Sequence, residues 1–284
     1  MSNAVHSARR GVTIAVTSGK GGVGKTTLTV NLAIALARLD TRVGVLDADF
    51  GLGNVDVMLG LSPESHLGSV LAGEKALGDI EASTAWGVRV FPAGTGIKGM
   101  AALPNDHWAR VQAGIDQLGP TFDYLLVDTG PGIGDTALTV ADATDKTIVV
   151  TTCDPTALVD AYAMTKLLIG AAPGREVGLV VNMARDAEQG RLVARKLGTA
   201  VQQFLGGTIR YYGHVERDPR VSDSVQTQRP LMTQFVDSPA TRAYQRLARR
   251  IAMWTPPVET AAPAVQSSEM TAEDFARTEA RSCA

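Results

Sequence analysis

The sequence predicts a single-domain α/β fold of three layers, in which helices cover both faces of a mostly parallel central sheet. Short apolar, β-branched runs alternate with segments of helical spacing along most of the chain. A glycine-rich loop at residues 18–27 joins the first run to the first helical segment, as a phosphate-binding loop does. The 284 residues, of which 45% are hydrophobic, suffice for one large core.

The elements follow one another as repeated strand and helix units. We expect strands at residues 12–17, 42–46, 88–91, 123–127, 146–151, 176–181 and 208–212. Between and after them we expect helices at residues 25–39, 66–72, 105–118, 135–143, 156–170, 186–205, 219–227 and 239–254. Strands that are apolar throughout are typical of a parallel sheet that is buried on both faces.

The two ends of the chain differ from residues 11–254, which we expect to form the folded domain. Residues 1–10 are a short polar arm with two arginines. The pair Pro256-Pro257 marks the first break in composition, and residues 255–284 predict a flexible acidic tail.

Composition excludes several classes of protein. Two cysteines, Cys153 and Cys283, lie far apart and indicate neither a disulfide framework nor a cluster site, so we expect a reducing compartment. No window approaches about eighteen uninterrupted apolar residues, which predicts a cytoplasmic protein whose membrane contact is peripheral. The net charge of −2 argues against a protein that coats nucleic acid.

The glycine-rich loop carries the pattern G-x-x-x-x-G-K-[ST] from Gly19 to Thr26. Its glycines let backbone N–H groups converge on phosphate oxygens, and the helix that follows adds the positive end of its dipole. We expect Lys25 to reach the β- and γ-phosphates and the Thr26 hydroxyl to bind Mg²⁺. The predicted phosphate-binding residues are Gly19, Lys20, Gly21, Gly22, Val23, Gly24, Lys25, Thr26 and Thr27. A turn that merely reverses the chain would not need this spacing.

Polar residues that follow three predicted strands extend the site, because ligands of open parallel sheets bind beyond the carboxyl ends of the strands. We expect Asp128 to hold Mg²⁺ directly or through water and Asp47 to support the metal through its waters. Asp49 is the candidate for orienting or deprotonating the attacking water. The amide of Asn182 can pair with an adenine edge. A strand-ending aspartate is alternatively a helix cap or a turn former.

The loop K-G-G-V-G-K-T-T, from Lys20 to Thr27, resembles that of the MinD/ParA class of deviant phosphate-loop ATPases. Within that class the chain most resembles the FlhG/FleN family of flagellar number regulators, over about residues 11–254. Other stretches carry the resemblance, namely Leu46 to Leu61, Asp154 to Ala163, Val181 to Ala184 with Glu188 to Arg191, and Tyr212 to Val215 leading to Asp218.

The resemblance implies a slow ATP hydrolase that acts as a switch, with ATP and Mg²⁺ as cofactors. In this class two subunits sandwich two ATP molecules, and Lys20 lies across the interface from the partner's nucleotide. Lys20 would then be catalytic together with Lys25 and Asp49, since a cation delivered in trans stabilises charge on the transferring phosphoryl group. Asp218 is implied as a further cofactor-binding residue.

The resemblance also implies protein partners and a location at the inner face of the cell membrane near a pole. The partners of the family are a signal-recognition-type GTPase, flagellar switch proteins and a sigma-54 activator. Many members carry an N-terminal segment with a D-Q-A core that activates the GTPase, and residues 1–10 lack that core.

The predicted last helix, residues 239–254, has two readings. Tyr244, Leu247, Ile251 and Trp254 form an apolar side opposite four arginines. This side either packs on the sheet or docks on a membrane in the ATP-bound state, and we favour packing with weak, conditional membrane contact.

Alternative functions remain within the same architecture. A cell-division or chromosome-partition ATPase would bind DNA through the basic stretch 185–250, which has twelve basic and six acidic side chains, although this stretch equally predicts solvated helix faces. A nucleotide-binding regulator that sequesters a transcriptional activator is the other alternative.

Overall fold

The structure is a computed structural model that describes residues 11–94 and 105–254. The predicted arm at 1–10 and the predicted tail at 255–284 lie outside the described residues. The side chains of residues 105, 106 and 135 are likewise outside this description.

In the described ranges eight strands form one sheet, and helices connect most of them. The strands are β1 Val12–Thr17, β2 Val43–Ala48, β3 Ala82–Ser83, β4 Val88–Phe91, β5 Tyr124–Thr129, β6 Lys146–Thr151, β7 Val177–Ala184 and β8 Ile209–Glu216. The helices are α1 Lys25–Ala37, α2 Val55–Met58, α3 Leu67–Leu71, α4 Asn105–Leu118, α5 Asp135–Asp142, α6 Pro155–Ala171, α7 Ala187–Leu205, α8 Pro219–Gln226, α9 Leu231–Gln234 and α10 Pro239–Ala252. Short 3₁₀ turns occupy Leu77–Ile80 and Gly119–Thr121.

The strand order β3-β4-β2-β5-β1-β6-β7-β8 confirms the predicted fold class. Every neighbouring pair is parallel except β3 with β4. β1 lies between β5 and β6, and the connections on its two sides run in opposite directions along the sheet. Such a reversal of strand order opens a ligand crevice at the carboxyl end of β1. The sequence did not predict β3, α2 or α9, because elements of two to four residues are too short to show a period.

Two apolar cores cover the two faces of the sheet. On one face α1 packs between the sheet and α10, and its residues from Leu28 to Leu36 are all buried. On the other face α4, α6 and α7 bury residues such as Ile115, Met164 and Leu197. The two cores hold the strand ends rigidly, and the polar residues at those ends are therefore fixed by the packing of both layers.

Three strands end two or three residues later than predicted, and β8 ends four residues later, at Glu216. β2 extends to Ala48, β5 to Thr129 and β7 to Ala184. Asp47, Asp128 and Asn182 thus belong to the final residues of strands rather than to the loops that follow them. Asp47 pairs in register with Asp128, so the ladder continues although the side chains become polar.

The last helix packs on the domain, as favoured from the sequence. Tyr244, Leu247 and Ile251 are at most 1% exposed, and α10 contacts α1 and β8. Arg242, Arg246, Arg249 and Arg250 are exposed. Among residues 11–94 and 105–254, we find no helix with the length and hydropathy needed to span a bilayer.

Candidate functional site

The loop between β1 and α1 presents backbone donors at the carboxyl edge of the sheet. Gly22 and Gly24 adopt left-handed φ values of 78° and 80°, which side chains disfavour. A Cβ on Gly24 would lie 2.4 Å from Asn182 Nδ2, so this position has no space for one. No side chain caps α1, and its first N–H groups are left to bind an anion.

Asp128 at the end of β5 connects three residues of α1. Its Oδ1 lies 3.1 Å from Lys25 Nζ and accepts a 2.8 Å hydrogen bond from the Thr29 hydroxyl. Its Oδ2 accepts a 2.7 Å hydrogen bond from the Thr26 hydroxyl. Lys25 and Asp128 are 6% and 1% exposed, so the pair is shielded from solvent. The Thr26 and Asp128 oxygens are the hard ligands that Mg²⁺ prefers, and the adjacent N–H groups suit a phosphate; the residues therefore fit an Mg²⁺ nucleotide.

Asp47 lies beside Asp128 in the middle of the sheet edge. Its Oδ1 accepts from the backbone N–H of Asp49 at 3.0 Å, and its Oδ2 accepts from that of Val55 at 3.1 Å. Burial, followed by the charge of Asp128, raises the pKa of Asp47 to about 7. The two hydrogen bonds of Asp47 hold the loop after β2 against the site. Because of its raised pKa, the charge of Asp47 changes near neutral pH.

Asp49 faces the loop that follows β5. Its Oδ1 accepts hydrogen bonds from the N–H groups of Gly51 and Leu52, at 3.3 and 3.1 Å. A Cβ on Gly130 would lie 3.5 Å from the same oxygen, so the two loops are in contact. Asp49 Oδ2 has no hydrogen bond within the described part of the chain. One carboxylate oxygen is fixed by the turn and the other remains available.

Lys20 lies at the outer rim of the loop and is exposed. Its Nζ donates a 3.0 Å hydrogen bond to the hydroxyl of Thr156 at the start of α6. Lys20 forms no ion pair with any residue that the structure describes. The loop itself is held from the other side, where the N–H of Gly132 donates to the Ser18 carbonyl at 3.2 Å.

Asn182 supports the phosphate loop from β7. Its Nδ2 donates a 2.8 Å hydrogen bond to the Val23 carbonyl, and its Oδ1 accepts from the N–H of Met183. Met183 lines an adjacent cleft of about 440 Å³ together with Thr152, Cys153, Asp154, Arg185, Gln189 and Arg217. Burial, and then the nearby Asp154 and Asp186, raise the pKa of the Cys153 thiol. The predicted contact of Asn182 with adenine stays a prediction.

Asp218 is separated from this network by its own hydrogen bonds. It caps α8, where Oδ1 accepts from the N–H of Arg220 at 3.1 Å, and its Oδ2 accepts from the N–H of Ala240 at the start of α10. These bonds give Asp218 a structural role in joining two helices. Its predicted contact with the cofactor stays a prediction.

The structure thus brings together Lys25, Thr26, Asp47, Asp49 and Asp128, and it adds two residues that sequence reasoning missed. Thr29 stands four residues after Lys25 on the same side of α1, a spacing that would have revealed it. Thr156 lies in the stretch Asp154 to Ala163 that carries the family resemblance, but its contact with Lys20 arises only through the fold.

Known proteins provide an independent comparison. Residues 14–231 match the family described as the CobQ/CobB/MinD/ParA nucleotide binding domain. The chain is 40% identical over 245 residues to the antiactivator FleN of Pseudomonas aeruginosa, covering 86% of this chain and 87% of that protein. It is 34% identical over 225 residues to the flagellum site-determining protein YlxH of Helicobacter pylori, covering 77% of this chain and 74% of that protein.

Among solved structures, the septum site-determining protein MinD of Pyrococcus horikoshii, complexed with Mg-ADP, has the same fold. The TM-score is 0.71 at 23% sequence identity, with 85% of this chain and 96% of that chain covered.

Proposed function

The chain belongs to the CobQ/CobB/MinD/ParA nucleotide-binding family, and from that premise we propose an ATP-dependent, dimerising switch that regulates flagellar number or placement through protein partners. Family membership makes the chain a MinD/ParA-type ATPase. The observation that carries the rest is Lys20, an exposed cation at the rim of the phosphate loop with no acidic partner among the described residues.

The inner side of the site binds the phosphates and the metal. ATP supplies the transferable phosphoryl group, and Mg²⁺ offsets the charge of its oxygens. The N–H groups from Gly19 to Thr27 and the Lys25 ammonium bind the phosphates. Thr26 and Asp128 would hold the metal, and Asp47 would support it from the adjacent strand end. Asp49 orients the attacking water and accepts its proton through the oxygen that no hydrogen bond occupies.

The nucleoside part of ATP fits the cleft beside β7. Its volume of about 440 Å³ is in the range of pockets that hold small ligands. The cleft begins at Met183, next to the Asn182 amide that supports the loop at Val23. We propose that Asn182 contacts the adenine edge from this position and that Asp218 lies near the same part of the nucleotide.

The outer side of the site, where Lys20 lies, completes the reaction of a second subunit. Lys20 is turned toward Thr156 rather than toward Asp128, and a single exposed hydrogen bond holds it there. When a second copy of the chain faces this surface, Lys20 leaves Thr156 and stabilises the charge on the partner's transferring phosphoryl group. Two ATP molecules thereby join two subunits, and hydrolysis separates them.

The flagellar assignment is supported by the relatives. FleN and YlxH are both more than 30% identical to this chain over most of its length, and YlxH carries a flagellar name. The partners that we propose are flagellar proteins, including a signal-recognition-type GTPase, switch proteins and a sigma-54 activator. We expect membrane contact through α10 to be weak, because its apolar side is buried against α1 and β8. Co-sedimentation with vesicles, with and without ATP, measures it.

The test is a comparison of three variants by ATP turnover, ATP binding and light scattering. Asp49→Ala should bind ATP and remain dimeric, because the attacking water is no longer activated. Lys20→Ala should bind ATP normally while hydrolysis and ATP-driven dimerisation are lost. Lys166→Ala removes another exposed lysine, on α6, and should behave as the parent does. Parental turnover by Lys20→Ala would refute the role of Lys20.

A second candidate function is supported by the name of the Pseudomonas relative, antiactivator FleN. In this version the ATP-bound chain sequesters a transcriptional activator, and hydrolysis only resets it. Pull-down with the Asp49→Ala variant in ATP identifies the captured protein. Turnover that does not change when that protein is added favours sequestration over a hydrolysis-driven cycle.

The cell-division or partition alternative makes a different prediction. It requires nonspecific DNA binding through the basic residues between 185 and 250, and such binding weakens steeply with salt. Gel shifts across a salt series should show no ATP-dependent binding if the flagellar proposal holds.

A further inference from the structure

A small cavity opens at the edge of the sheet, away from the phosphate loop. It lies beside β8, the last strand in the order, and is lined from three elements: α7, β8 and α10. Its charged or titratable lining residues are Arg191, Tyr211, Tyr212, His214, Arg246 and Arg250. The volume is about 190 Å³, below the roughly 300 Å³ at which pockets for whole drug-sized ligands begin. The cavity can therefore hold a charged group rather than a nucleotide.

Three arginines reach this cavity, and none is paired with a carboxylate in the described ranges. Arg191 and Arg246 are exposed and form no ion pair there. Arg250 Nη1 donates a 2.5 Å hydrogen bond to the Tyr212 carbonyl, which fixes the guanidinium without neutralising it. Among the described residues, Glu216 is the acidic side chain next to His214; its Oε1 lies 3.8 Å from His214 Nε2. The cavity therefore has a positive charge of about two.

Glycine 213 provides the space for this arrangement. Its φ of 144° is outside the range that most side chains adopt. A Cβ there would lie 3.2 Å from both Arg250 Nη1 and Leu247 Cδ2. Because β8 has no side chain at this position, the Arg250 side chain can lie across the edge of the strand and line the cavity.

His214 reports the charge of the cavity. Its side chain is 14% exposed, and its Nδ1 lies 3.2 Å from the Tyr211 hydroxyl. Burial lowers the pKa of His214; Glu216 opposes this effect, and Arg246, Arg191 and Arg250 reinforce it. An anion bound among the arginines would oppose their effect on the imidazole.

We propose that this cavity binds the phosphate group of a small phosphorylated ligand. A dianion matches the surplus of about two positive charges. The planar guanidinium groups of Arg191, Arg246 and Arg250 offer several donors in fixed geometry, which suits a tetrahedral oxyanion. The site is distinct from the phosphate loop, since it shares no lining residue with residues 18–27.

The chain's four histidines make a direct test possible by NMR titration. The parent chain is used, because the phosphate loop shares no lining residue with the cavity and His214 reports the cavity alone. Sulfate, which stays a dianion throughout, and inorganic phosphate are compared with chloride at equal ionic strength. The pKa of His214 should rise by about one unit when either oxyanion binds, because an opposite charge nearby favours the imidazolium. The ring resonances of His66, which caps α3 and does not line the cavity, serve as the internal control.

Variants separate binding from a structural effect. The double variant Arg191→Gln/Arg246→Gln should raise the pKa of His214 in chloride and lose its response to sulfate and phosphate. Arg246→Lys should retain part of the response, because it keeps the charge. Both positions are exposed, and an unchanged spectrum elsewhere verifies the fold.

The outcomes decide among sources of phosphate. A His214 pKa that is the same in sulfate, phosphate and chloride would overturn the proposal, as would an equal response in the double variant. A short DNA duplex and vesicles of phosphatidylglycerol are added in parallel. A response to either of these without a response to the small oxyanions would replace the small-ligand proposal. None of these results depends on ATP hydrolysis.

Discussion

The two lysines of the phosphate loop stand in opposite environments. Lys25 is 6% exposed and pairs with Asp128, which also binds Thr26 and Thr29. Lys20 is exposed and has one hydrogen bond, to Thr156. Residues five positions apart thus differ in what holds them: the inner lysine is fixed by the core, and the outer one is free to move at little cost. The inner side is built to bind, and the outer side is available to a second subunit.

The largest expected effect comes from breaking the inner network. Asp128→Ala leaves the Lys25 ammonium buried without its partner and the Thr26 hydroxyl without its acceptor, while the Thr29 hydroxyl keeps the Lys25 carbonyl at 3.0 Å. We expect the free energy of unfolding to fall by about 3–5 kcal/mol in the nucleotide-free protein, measured by urea denaturation. Arg42→Ala removes the exposed partner of Asp123 and leaves no buried charge unpaired, so it should cost far less. Equal losses of unfolding free energy in the two variants would contradict the contrast between the buried and the exposed ion pair.

The pH dependence of stability tests the same inner region. The pKa of Asp47 is raised from 3.8 to about 7, so between these values the folded protein holds a proton that the unfolded chain releases. Stability from this group is therefore complete below about pH 4 and is lost as pH rises through about 7, by at most about 4 kcal/mol. Urea denaturation across this range measures the slope. Asp47→Asn should flatten it, and an unchanged slope would assign the effect to another group.

The backbone of the loop gives an intermediate effect. Gly24→Ala places a Cβ at a φ of 80° and 2.4 Å from Asn182 Nδ2, so we expect a loss of about 1–3 kcal/mol in unfolding free energy. Gly198→Ala on α7 is the matched control, since nothing lies within 4 Å of its added Cβ. That control should be neutral or stabilising by up to about 1 kcal/mol. A similar loss in both would remove the argument for a strained loop.

The smallest stability effects belong to the outer side. Lys20→Ala and Thr156→Val should each change the unfolding free energy by no more than about 0.5 kcal/mol, because their shared hydrogen bond is exposed. Thermal or urea denaturation checks this. A destabilisation by either variant comparable to that of Asp128→Ala would show that Lys20 is a structural residue rather than a mobile one.

The sequence predicted the features that depend on local pattern. The alternation of apolar runs gave the layered parallel sheet, and the loop motif gave Lys25, Thr26 and their neighbours. Asp47 and Asp128 were recognised, but the strand ends were misplaced because a polar side chain can continue a ladder whose backbone still pairs.

Contacts across the fold could not be predicted in this way. The hydrogen bond from Lys20 to Thr156 joins residues 136 positions apart, and no period or motif relates them. An amphipathic helix that packs on a core and one that docks on a membrane differ only in what covers the apolar side. For α10 the structure answers this question, because its apolar side packs on α1 and β8. The arginine cavity at β8 likewise depends on α7 and α10 meeting one edge strand.

The most direct measurement of whether Lys20 acts across a dimer is a mixing experiment. Lys20→Ala and Asp49→Ala are each inactive by this account, but a mixed pair has one site with its own Asp49 and the partner's Lys20. Mixed in equal amounts before ATP is added, they should recover activity, because each mixed dimer has one complete site. The ceiling is about one quarter of the parental rate, reached if half of the dimers are mixed; the recovery is lower than this because a mixed dimer keeps only one of its two Lys20 contacts. No recovery, with mixed dimers demonstrated by light scattering and tagged subunits, would contradict the account.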